Sequence, residues 1–543
     1  MENNGRLPSW AAALAGLVAG AVAAGLSLPA AALVKASAFP VVAAGNAAVD
    51  LTPAWLKDWA IRTFGEHDKT VLLAGVLAVL AAAAAYAGIL AARDLRYGAA
   101  LLGGFGALGI LAVLTRPGAG PADALPTLLG VAAGVFTLSR LLRRALLPTG
   151  TGGEEPPGVQ TPAAMRAEGE PPGVQVPAVM RAGEEPRSFD RRGLLTAALG
   201  GAVAAGAGAV AGRLFTGRSE VDAARAGLAL PRPAVPARPV PAGSDLRIKG
   251  LSPFFTPNHD FYRVDTALVV PRVDPRGWTL RIGGMVDRQV ELTFADLLAR
   301  PLVEADVTLC CVSNEVGGPY IGNARWLGVR LADLLREAGV RAGADMLLSV
   351  SADGWTCGTP AGVVLDGRDA LLAVAMNGET LPVDHGFPAR MVVPGLYGYV
   401  SATKWVTEIK VTRFDRDEAY WTPRGWAAEG PVKTQSRIDL PRPGARLAPG
   451  RTVVAGVAWA QHKGVDAVEI RVDGGPWRQA RLAQAPTADT WRQWVVDDWD
   501  ATPGEHTIEV RATDATGYTQ TAERTPVAPD GATGLHTVTV TVA

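Results

Sequence analysis

Two uncharged apolar runs, Ala11 to Val34 and Val71 to Ala92, decide what the first part of this chain can be. Each is longer than the ~20 residues an α-helix needs to cross a bilayer while satisfying its own backbone hydrogen bonds. Tyr97 to Leu114 stands near the lower limit for a span, and Leu125 to Ser139 is short. All four are rich in Ala, Gly and Leu with no polar face, which favours spans over buried helices of a soluble domain. Arg93 and Arg96 follow the second run, and Arg140, Arg143 and Arg144 the fourth, so those ends and the N-terminus read as cytoplasmic. Between the first two runs, Leu51 to Phe64 is an amphipathic stretch whose Trp55 and Trp59 suit the outer interface, or else a packed loop helix.

Composition agrees. With 48% hydrophobic and 19% charged residues, the chain is too apolar to be wholly soluble, and its zero net charge argues against a nucleic-acid partner. None of the histidines (His67, His259, His385, His462, His506, His536) lies in a span, and there is no Cys-x-x-Cys-His. A bis-His or covalent haem is therefore not expected, and the membrane part reads as an anchor or docking platform.

From Ala145 to Ser188 the chain is Pro-, Gly- and Glu-rich, and Pro156 to Ala167 recurs almost intact as Pro171 to Ala182. Such a segment cannot bury a core and reads as a disordered cytoplasmic linker. Arg191 and Arg192 then precede the apolar run Gly193 to Gly212. This looks like a twin-arginine export signal placed inside the chain, or like the basic flank of a fifth span; either puts residues after Arg213 outside the cytoplasm. Ala223 to Gly243 is a second Pro/Ala linker.

The chemistry gathers downstream. In Thr308-Leu-Cys-Cys-Val-Ser-Asn314 an apolar strand runs into a Gly-rich loop and then a helix start at Asp333. Neighbours on a strand point to opposite faces, so one of Cys310 and Cys311 faces the loop and the other away. With Cys357 the chain has three cysteines, too few for a disulfide framework and wrongly spaced for zinc. Two packed core thiols remain open as a reading of this stretch alone. Further on, Asn377 to Trp405 sets His385, Arg390 and Lys404 among glycines and prolines, a loop-rich basic pocket suited to phosphate or another anion.

Together these two segments resemble the sulfite oxidase family of molybdopterin enzymes, over roughly residues 250 to 543. The cysteine segment is similar to that family's Thr-Leu-x-Cys-x-x-Asn, whose cysteine is the protein thiolate on molybdenum. Counted from Asn314 this residue is Cys311, and Cys310 falls off the ligand position. The basic segment is similar to the family's His-Gly-x-Pro-x-Arg, Pro-Gly and Lys-Trp motifs, which hold the pterin and its phosphate; His385, Arg390 and Lys404 match. The resemblance further implies cofactor contacts at Asn258, Phe261, Tyr262 and Arg263 in the segment Thr256 to Asp265, at Asp353 and at Ser401. It implies a molybdenum–molybdopterin cofactor, oxygen-atom transfer to or from a small S- or N-containing substrate, and an external electron partner, cytochrome or quinone-linked. Burial beside cationic groups is expected to keep Cys311 deprotonated.

Two positions depart from the family. Sulfite oxidases continue Cys-x-x-Asn into Arg-Arg, where Glu315 and Val316 stand here, and their active-site tyrosine in Trp-x-x-x-x-Tyr is Trp426 in this chain. Glu315 would repel a dianion such as sulfite, which wants several charge-assisted donors of ~1.5–3 kcal/mol each. Arg263 and Arg424 are the candidates to compensate, and Trp426 and Arg424 join Cys311 as candidate catalytic residues. Three readings stay open: a molybdopterin oxidoreductase on a neutral or weakly charged substrate, a sulfite oxidase with a rearranged anion site, and a cofactor-free binding scaffold.

Trp278 to Val286 reads as an alternating strand and Leu292 to Leu298 as a capped helix start. Past Trp405 the pattern becomes purely β. Val453 to Trp459, Ala467 to Val472, Trp491 to Val496, Thr507 to Val510 and His536 to Val542 alternate between turn signals, as in an immunoglobulin-like sandwich. In the resembled family such a domain mediates homodimerisation; Trp477, Trp491, Trp494 and Trp499 are mostly its core. The expected chain is thus multi-domain: a four-helix transmembrane region at 1–145, a linker at 146–190, a twin-arginine-like fifth transmembrane helix at 191–213, a linker at 214–246, an α+β sulfite-oxidase-type molybdopterin domain at 247–415, and the all-β sandwich at 430–543. It is expected in the cell membrane with the catalytic domain on the extracytoplasmic side.

Overall fold

The computed structural model describes residues 7–34, 38–53, 56, 59, 63–64, 68–116, 119–145, 191–215 and 218–543. The duplicated Pro-rich segment and Trp55 lie outside the described residues. Residues up to Thr216 form one compact unit and those from Gly217 a second.

The first unit is helical: α1 (Ser9–Val34), α2 (Pro40–Leu51), α3 (Asp68–Ala91), α4 (Leu95–Leu114), α5 (Leu125–Ala145) and α6 (Arg191–Phe215). Four helices, Ser9–Val34, Thr70–Ala91, Leu95–Leu114 and Pro121–Ala145, are long and apolar enough to cross a membrane, whereas the apolar part of α6 is shorter, Leu195–Val210. The fourth run is longer than its uncharged stretch suggested, because Arg140, Arg143 and Arg144 are good helix formers and suit the negative end of the helix dipole. Helix α1 is the hub. A Cβ added to Gly16 would lie 2.0 Å from the Ala84 carbonyl of α3, one on Gly130 of α5 would meet Ser27, and one on Gly25 would meet Ala205 of α6. Small residues at these crossings let backbones approach closely, which is how apolar helices associate without a hydrophobic driving force. Of the amphipathic stretch, Trp59 is exposed and meets Phe64 edge-on.

The second unit opens with α7 (Arg218–Ala226), whose Arg225 donates from Nε to the Leu381 carbonyl (2.7 Å) and from Nη2 to that of Thr380 (2.8 Å). The Pro/Ala stretch that follows is laid along the domain, with the Ala234 N–H on the Leu302 carbonyl and Val235 bridged in parallel to Val303. Extended Pro-rich chain lies near strand geometry and can border a sheet through the donors its prolines leave.

Ten strands then build two sheets: β1 (Thr279–Gly284), β2 (Val290–Thr293), β3 (Val303–Cys310), β4 (Ile321–Arg330), β5 (Met346–Ser351), β6 (Thr356–Pro360), β7 (Leu371–Met376), β8 (Glu379–Thr380), β9 (Arg390–Val392) and β10 (Val406–Thr412). One sheet has the order β2-β1-β10-β5-β6; the other is β3-β4-β7-β8, with β9 also on β7. Helix α8 (Phe294–Leu298) starts with the capping box read from sequence, Thr293 Oγ1 accepting from the Asp296 N–H. Helix α9 (Leu331–Ala338) buries Leu331, Leu334 and Leu335 and ends at Gly339 with φ +72°. Strand β7 is buried at every position, so it reads as a continuous apolar run rather than an alternation.

The β-rich C-terminal region has nine strands: β11 (Gln435–Leu440), β12 (Arg446–Leu447), β13 (Gly450–Trp459), β14 (Val465–Val472), β15 (Arg478–Gln479), β16 (Arg481–Leu482), β17 (Arg492–Ala501), β18 (Gly504–Asp514) and β19 (His536–Val542). They form two sheets, β11-β13-β17-β16 and β12-β19-β18-β14-β15. Val454, Trp494 and Val496 from the first share one core with Ile470, Ile508 and Val540 from the second. Trp499 joins that core, whereas Trp477 packs against the guanidinium groups of Arg471 and Arg511.

Trp491 does something else: it packs into the core of the preceding domain and donates from Nε1 to the Phe254 carbonyl (2.9 Å). Its N–H donates to Thr308 Oγ1 (2.8 Å), and Thr308 Oγ1 donates to Asn323 Oδ1 (3.0 Å). The Thr308 N–H donates to the Asp489 carbonyl (2.9 Å), and its own carbonyl accepts from Gln461 Nε2 (2.9 Å). Thus every polar atom of Thr308 is used, three of them by the C-terminal region. Thr308→Val preserves shape but strands the Trp491 N–H and Asn323 Oδ1 in a buried site. We expect a loss of about 2–4 kcal/mol in unfolding free energy, read from denaturant midpoints, whereas Thr308→Ser should fall well short of that.

Candidate functional site

Strand β3 ends at Cys310, whose side chain lies in the domain core; Cys311 is 8% exposed and lies outside that core. The Cys311 N–H donates to the Tyr320 carbonyl (2.9 Å), and Asn314 Oδ1 accepts from the Tyr320 N–H (2.8 Å), which closes the loop 311–320. Asn314 Nδ2 is buried with no partner. The two thiols answer to different surroundings. Lys404 acts on Cys311, and Arg437 of β11 on Cys310. Burial pushes both thiols up, Cys310 furthest; for Cys311 the hydrogen bonds of Ser313 and the charge of Lys404 oppose it without winning. Lys404 is the neighbouring cation that favours the Cys311 thiolate, and a bound metal would favour it further.

His385 sits in the turn Val383–His385 with Nε2 3.0 Å from the Asn258 carbonyl. A carbonyl only accepts, so Nε2 carries the proton and Nδ1 is left as an acceptor. Burial first, then Arg390 and Lys404, lower its pKa to about 4, so the imidazole is neutral near pH 7. The pocket holds two buried cations, not the three counted from sequence. Arg390, at the start of β9, donates from Nη1 to the His385 carbonyl (3.2 Å), with its guanidinium 5.0 Å from the Trp326 ring. Burial draws it down to about 10, so it stays charged. Lys404 donates from Nζ to Asp265 Oδ2 (2.9 Å) and the Asp384 carbonyl (3.2 Å), and burial draws it to about 8 against the pull of Asp265. Gly386, at φ +110°, lets the two approach: a Cβ there would lie 3.0 Å from Arg390 Cβ and 3.1 Å from Lys404 Cβ.

The segment 256–265 forms another wall. Asn258 uses its side chain within the protein, Nδ2 on the Met376 carbonyl (3.2 Å) and Oδ1 accepting from Asn377 Nδ2 (2.9 Å). Phe261 is core, edge-on to Trp326 and His385. Tyr262 stacks on Phe261, stands close enough to Cys311 and Arg390 to feel their charge, and has no hydrogen-bond partner for its hydroxyl among the described residues. Arg263 donates from Nε to Asp265 Oδ2 (2.9 Å). Nothing in the sequence singles out Asp265, because an acid two residues after an arginine carries no sign of reaching a lysine 139 positions away.

The remaining candidates lie apart from this cluster or are turned from it. Ser401 Oγ donates to the Leu396 and Tyr397 carbonyls of its own turn. Asp353 accepts from the Trp355 N–H in the β5–β6 turn, which meets the segment after Lys404 through the Ala352 N–H on the Trp405 carbonyl. Arg424 stacks on Tyr420, its carbon centre 3.7 Å from the ring centroid, and Trp426 packs on Tyr399 and Trp421. Tyr399 belongs to the turn Gly398–Val400, and a Cβ on Gly398 would lie 3.7 Å from the Cys310 carbonyl, so this aromatic cluster backs the cysteine wall. Glu315 is exposed.

Among the described residues no three His, Cys, Asp or Glu side chains gather as an all-protein metal site. A metal here would take Cys311 as a lone protein thiolate and other ligands from its own cofactor. The residues fit such a group. Asn314 Nδ2 in the cysteine loop is buried without a partner, and the buried Lys404 acts on the thiol, with Arg390 and the His385 imidazole acceptor grouped around Lys404. This is a donor set for an anionic, sulfur-bound ligand.

A model described as the oxidoreductase molybdopterin binding domain matches residues 267–421. The chain is 32% identical over 295 residues to sulfite oxidase of Gallus gallus, covering 46% of this chain and 63% of that protein. It is 36% identical over 157 residues to the uncharacterized oxidoreductase YuiH of Bacillus subtilis (strain 168), covering 29% and 76% respectively. It spans between 50% and 63% of the length of the animal sulfite oxidases it matches. Among solved structures it is similar to the sulfane dehydrogenase SoxCD from Paracoccus pantotrophus, with TM-score 0.46 and 26% identity, over 54% of this chain and 84% of that one.

Proposed function

Because the chain belongs to the sulfite oxidase family of molybdopterin-dependent oxidoreductases, we propose that it is a membrane-anchored molybdenum enzyme moving an oxygen atom to or from a small S- or N-containing substrate. The observation that carries this reading is one buried thiol, Cys311, outside the apolar core and acted on by the buried cation Lys404, which is itself neighboured by the buried Arg390. Cys311 would hold the metal, and His385, Arg390 and Lys404 the pterin and its phosphate. When bound, that group supplies two-electron oxygen-transfer chemistry. Ser313 and Lys404 favour the Cys311 thiolate that binding requires. His385 stays neutral and offers Nδ1 as an acceptor, while Arg390 contributes a fixed charge in a site of low dielectric. The Tyr262 hydroxyl is an uncommitted donor toward the pocket.

A neutral substrate, such as a sulfoxide or N-oxide, is favoured over sulfite. Arg263 is held by Asp265 and Arg424 is stacked on Tyr420, so the two arginines that would replace the missing anion-binding pair are engaged elsewhere. A scaffold without cofactor has no use for a buried thiol and two buried cations on one pocket. Helices α1, α3, α4 and α5 serve as the anchor, and the close packing of α6 on α1 supports a retained fifth span over a removed signal. The basic residues after the second and fourth spans support a catalytic domain outside the cytoplasm. The C-terminal sheets are proposed to be an immunoglobulin-like domain through which copies dimerise, and electrons pass to an external cytochrome or quinone-linked partner.

The test is molybdenum and pterin analysis of the full-length protein from a cofactor-competent host. We expect close to one of each per chain, with viologen-driven sulfoxide reduction exceeding ferricyanide-coupled sulfite oxidation. Absence of both metal and pterin would leave the scaffold reading.

A further inference from the structure

The pocket contains an anion of its own. Asp265 Oδ2 accepts from Lys404 Nζ and from Arg263 Nε, both at 2.9 Å, and the Lys404 and Asp265 side chains are only 10% and 8% exposed. Breaking such a pair by removing one partner leaves a buried charge uncompensated. Lys404 is faced by Asp265 and Arg263 from the segment 256–265, by Arg390 from β9, by the Asp384 carbonyl and His385 from the turn before Gly386, and by Cys311 across the pocket. Among the carboxylates and guanidinium groups that act on its charge, Asp265 supports the ammonium, whereas Arg390 and Arg263 both oppose it.

We propose that Asp265 is a positioning residue for cofactor binding: its carboxylate aims the Lys404 ammonium at the anionic end of the pterin. The inference rests on the molybdopterin reading of the pocket. The ammonium has three donors; Asp265 and the Asp384 carbonyl take two and fix the direction of the third. Lys404 also lies 5.2 Å from the Trp405 ring, so its stem is confined on the remaining side. With Asp265 neutralised, the cheapest escape for Lys404 is to lose its proton, because burial already disfavours its charge. A neutral amine holds a phosphate far less well than an ammonium.

The experiment is a double-mutant cycle on the full-length protein from a cofactor-competent host: wild type, Asp265→Asn, Lys404→Met and the pair, with Asp265→Glu as the conservative control. The readout is pterin and molybdenum per chain before and after gel filtration, with released pterin followed by fluorescence after oxidation. Asp265→Asn and Lys404→Met should each lower retention by roughly 10–100-fold, the range for losing a partner that orients a ligand group. The pair should be no worse than Lys404→Met alone, and Asp265→Glu should recover much of the loss. Wild-type retention in Asp265→Asn, or losses that multiply in the pair, overturns the proposal, because the carboxylate would then not act through Lys404. A wild type without pterin or molybdenum, by contrast, overturns the reading of the pocket itself and this inference with it.

Discussion

Cys311→Ser should abolish turnover while leaving pterin in place, and Cys310→Ser should leave both turnover and pterin intact. The contrast follows from where the two thiols stand. Cys310 belongs to the hydrophobic core, its Sγ 3.5 Å from the Cys311 carbonyl, and burial holds its thiol neutral. Cys311 is outside that core, next to Lys404 and the hydrogen bonds of Ser313. Serine offers oxygen where a soft, polarisable thiolate suits the metal, so the absorption bands of thiolate ligation should vanish. Losing a hydrogen-bond partner behind a ligand already costs about 10–100-fold in metal affinity or activity. Losing the ligand should exceed that, so we expect at least a ~100-fold fall in turnover per bound metal. Pterin should stay within about twofold of wild type, because His385, Arg390 and Lys404 are untouched. The opposite pattern, with Cys310→Ser losing the spectrum, would assign the ligand to the wrong cysteine; an unaffected Cys311→Ser enzyme would remove the thiolate from the mechanism.

How much of this was legible depends on what each residue's role rests on. The strands β14, β18 and β19 were visible because one face is buried and the other wet, so period-two alternation is written into Val465–Val472 and His536–Val542. The Thr293–Asp296 cap was visible because its two members are three residues apart. Cys311 could be chosen over Cys310 only by its distance from Asn314 in a resembled motif; the physical distinction, inside or outside the core, needs the fold. What was not legible is what joins distant segments. That His385 is neutral follows from burial and two cations brought by β9 and by the loop before β10, and that Asp265 meets Lys404 follows from how two loops cross. Trp491 looked like sandwich core from its alternation, yet the fold spends it on the neighbouring domain. The Pro/Ala stretch after Ala226 carried no apolar periodicity, so its pairing with Val303 had no signature.

The same cross-domain logic yields the largest expected stability effect. Gly317, in the loop between Cys311 and Tyr320, has φ +80°, and a Cβ there would lie 2.2 Å from Cδ2 and 2.3 Å from Nε2 of His536 in β19. The imidazole cannot swing away freely: its Nδ1 accepts from the Ile438 N–H of β11 at 2.9 Å. Beside it, Arg437 donates from Nη1 to the Gly318 carbonyl (2.9 Å) and from Nη2 to Ser252 Oγ (2.9 Å). The C-terminal region therefore grips the cysteine loop at consecutive residues. Gly317→Ala adds left-handed strain of about 1–2 kcal/mol and an overpacked contact of about 1–3 kcal/mol, so the unfolding free energy should fall by roughly 2–5 kcal/mol. Gly343 supplies the control, because its φ is +84° but the nearest atom to an added Cβ is the end of Arg413 at 3.6 Å. Gly343→Ala should show the strain alone. The difference between the two variants measures the His536 contact, and adding His536→Ala to Gly317→Ala should recover part of it. If the loop is held this way, Gly317→Ala should also lower molybdenum content at temperatures where the chain is still folded, because Cys311 sits six residues from the clash. Equal effects at Gly317 and Gly343 would mean that the loop yields without the domain beneath it, and that the C-terminal region has no hold on the cysteine.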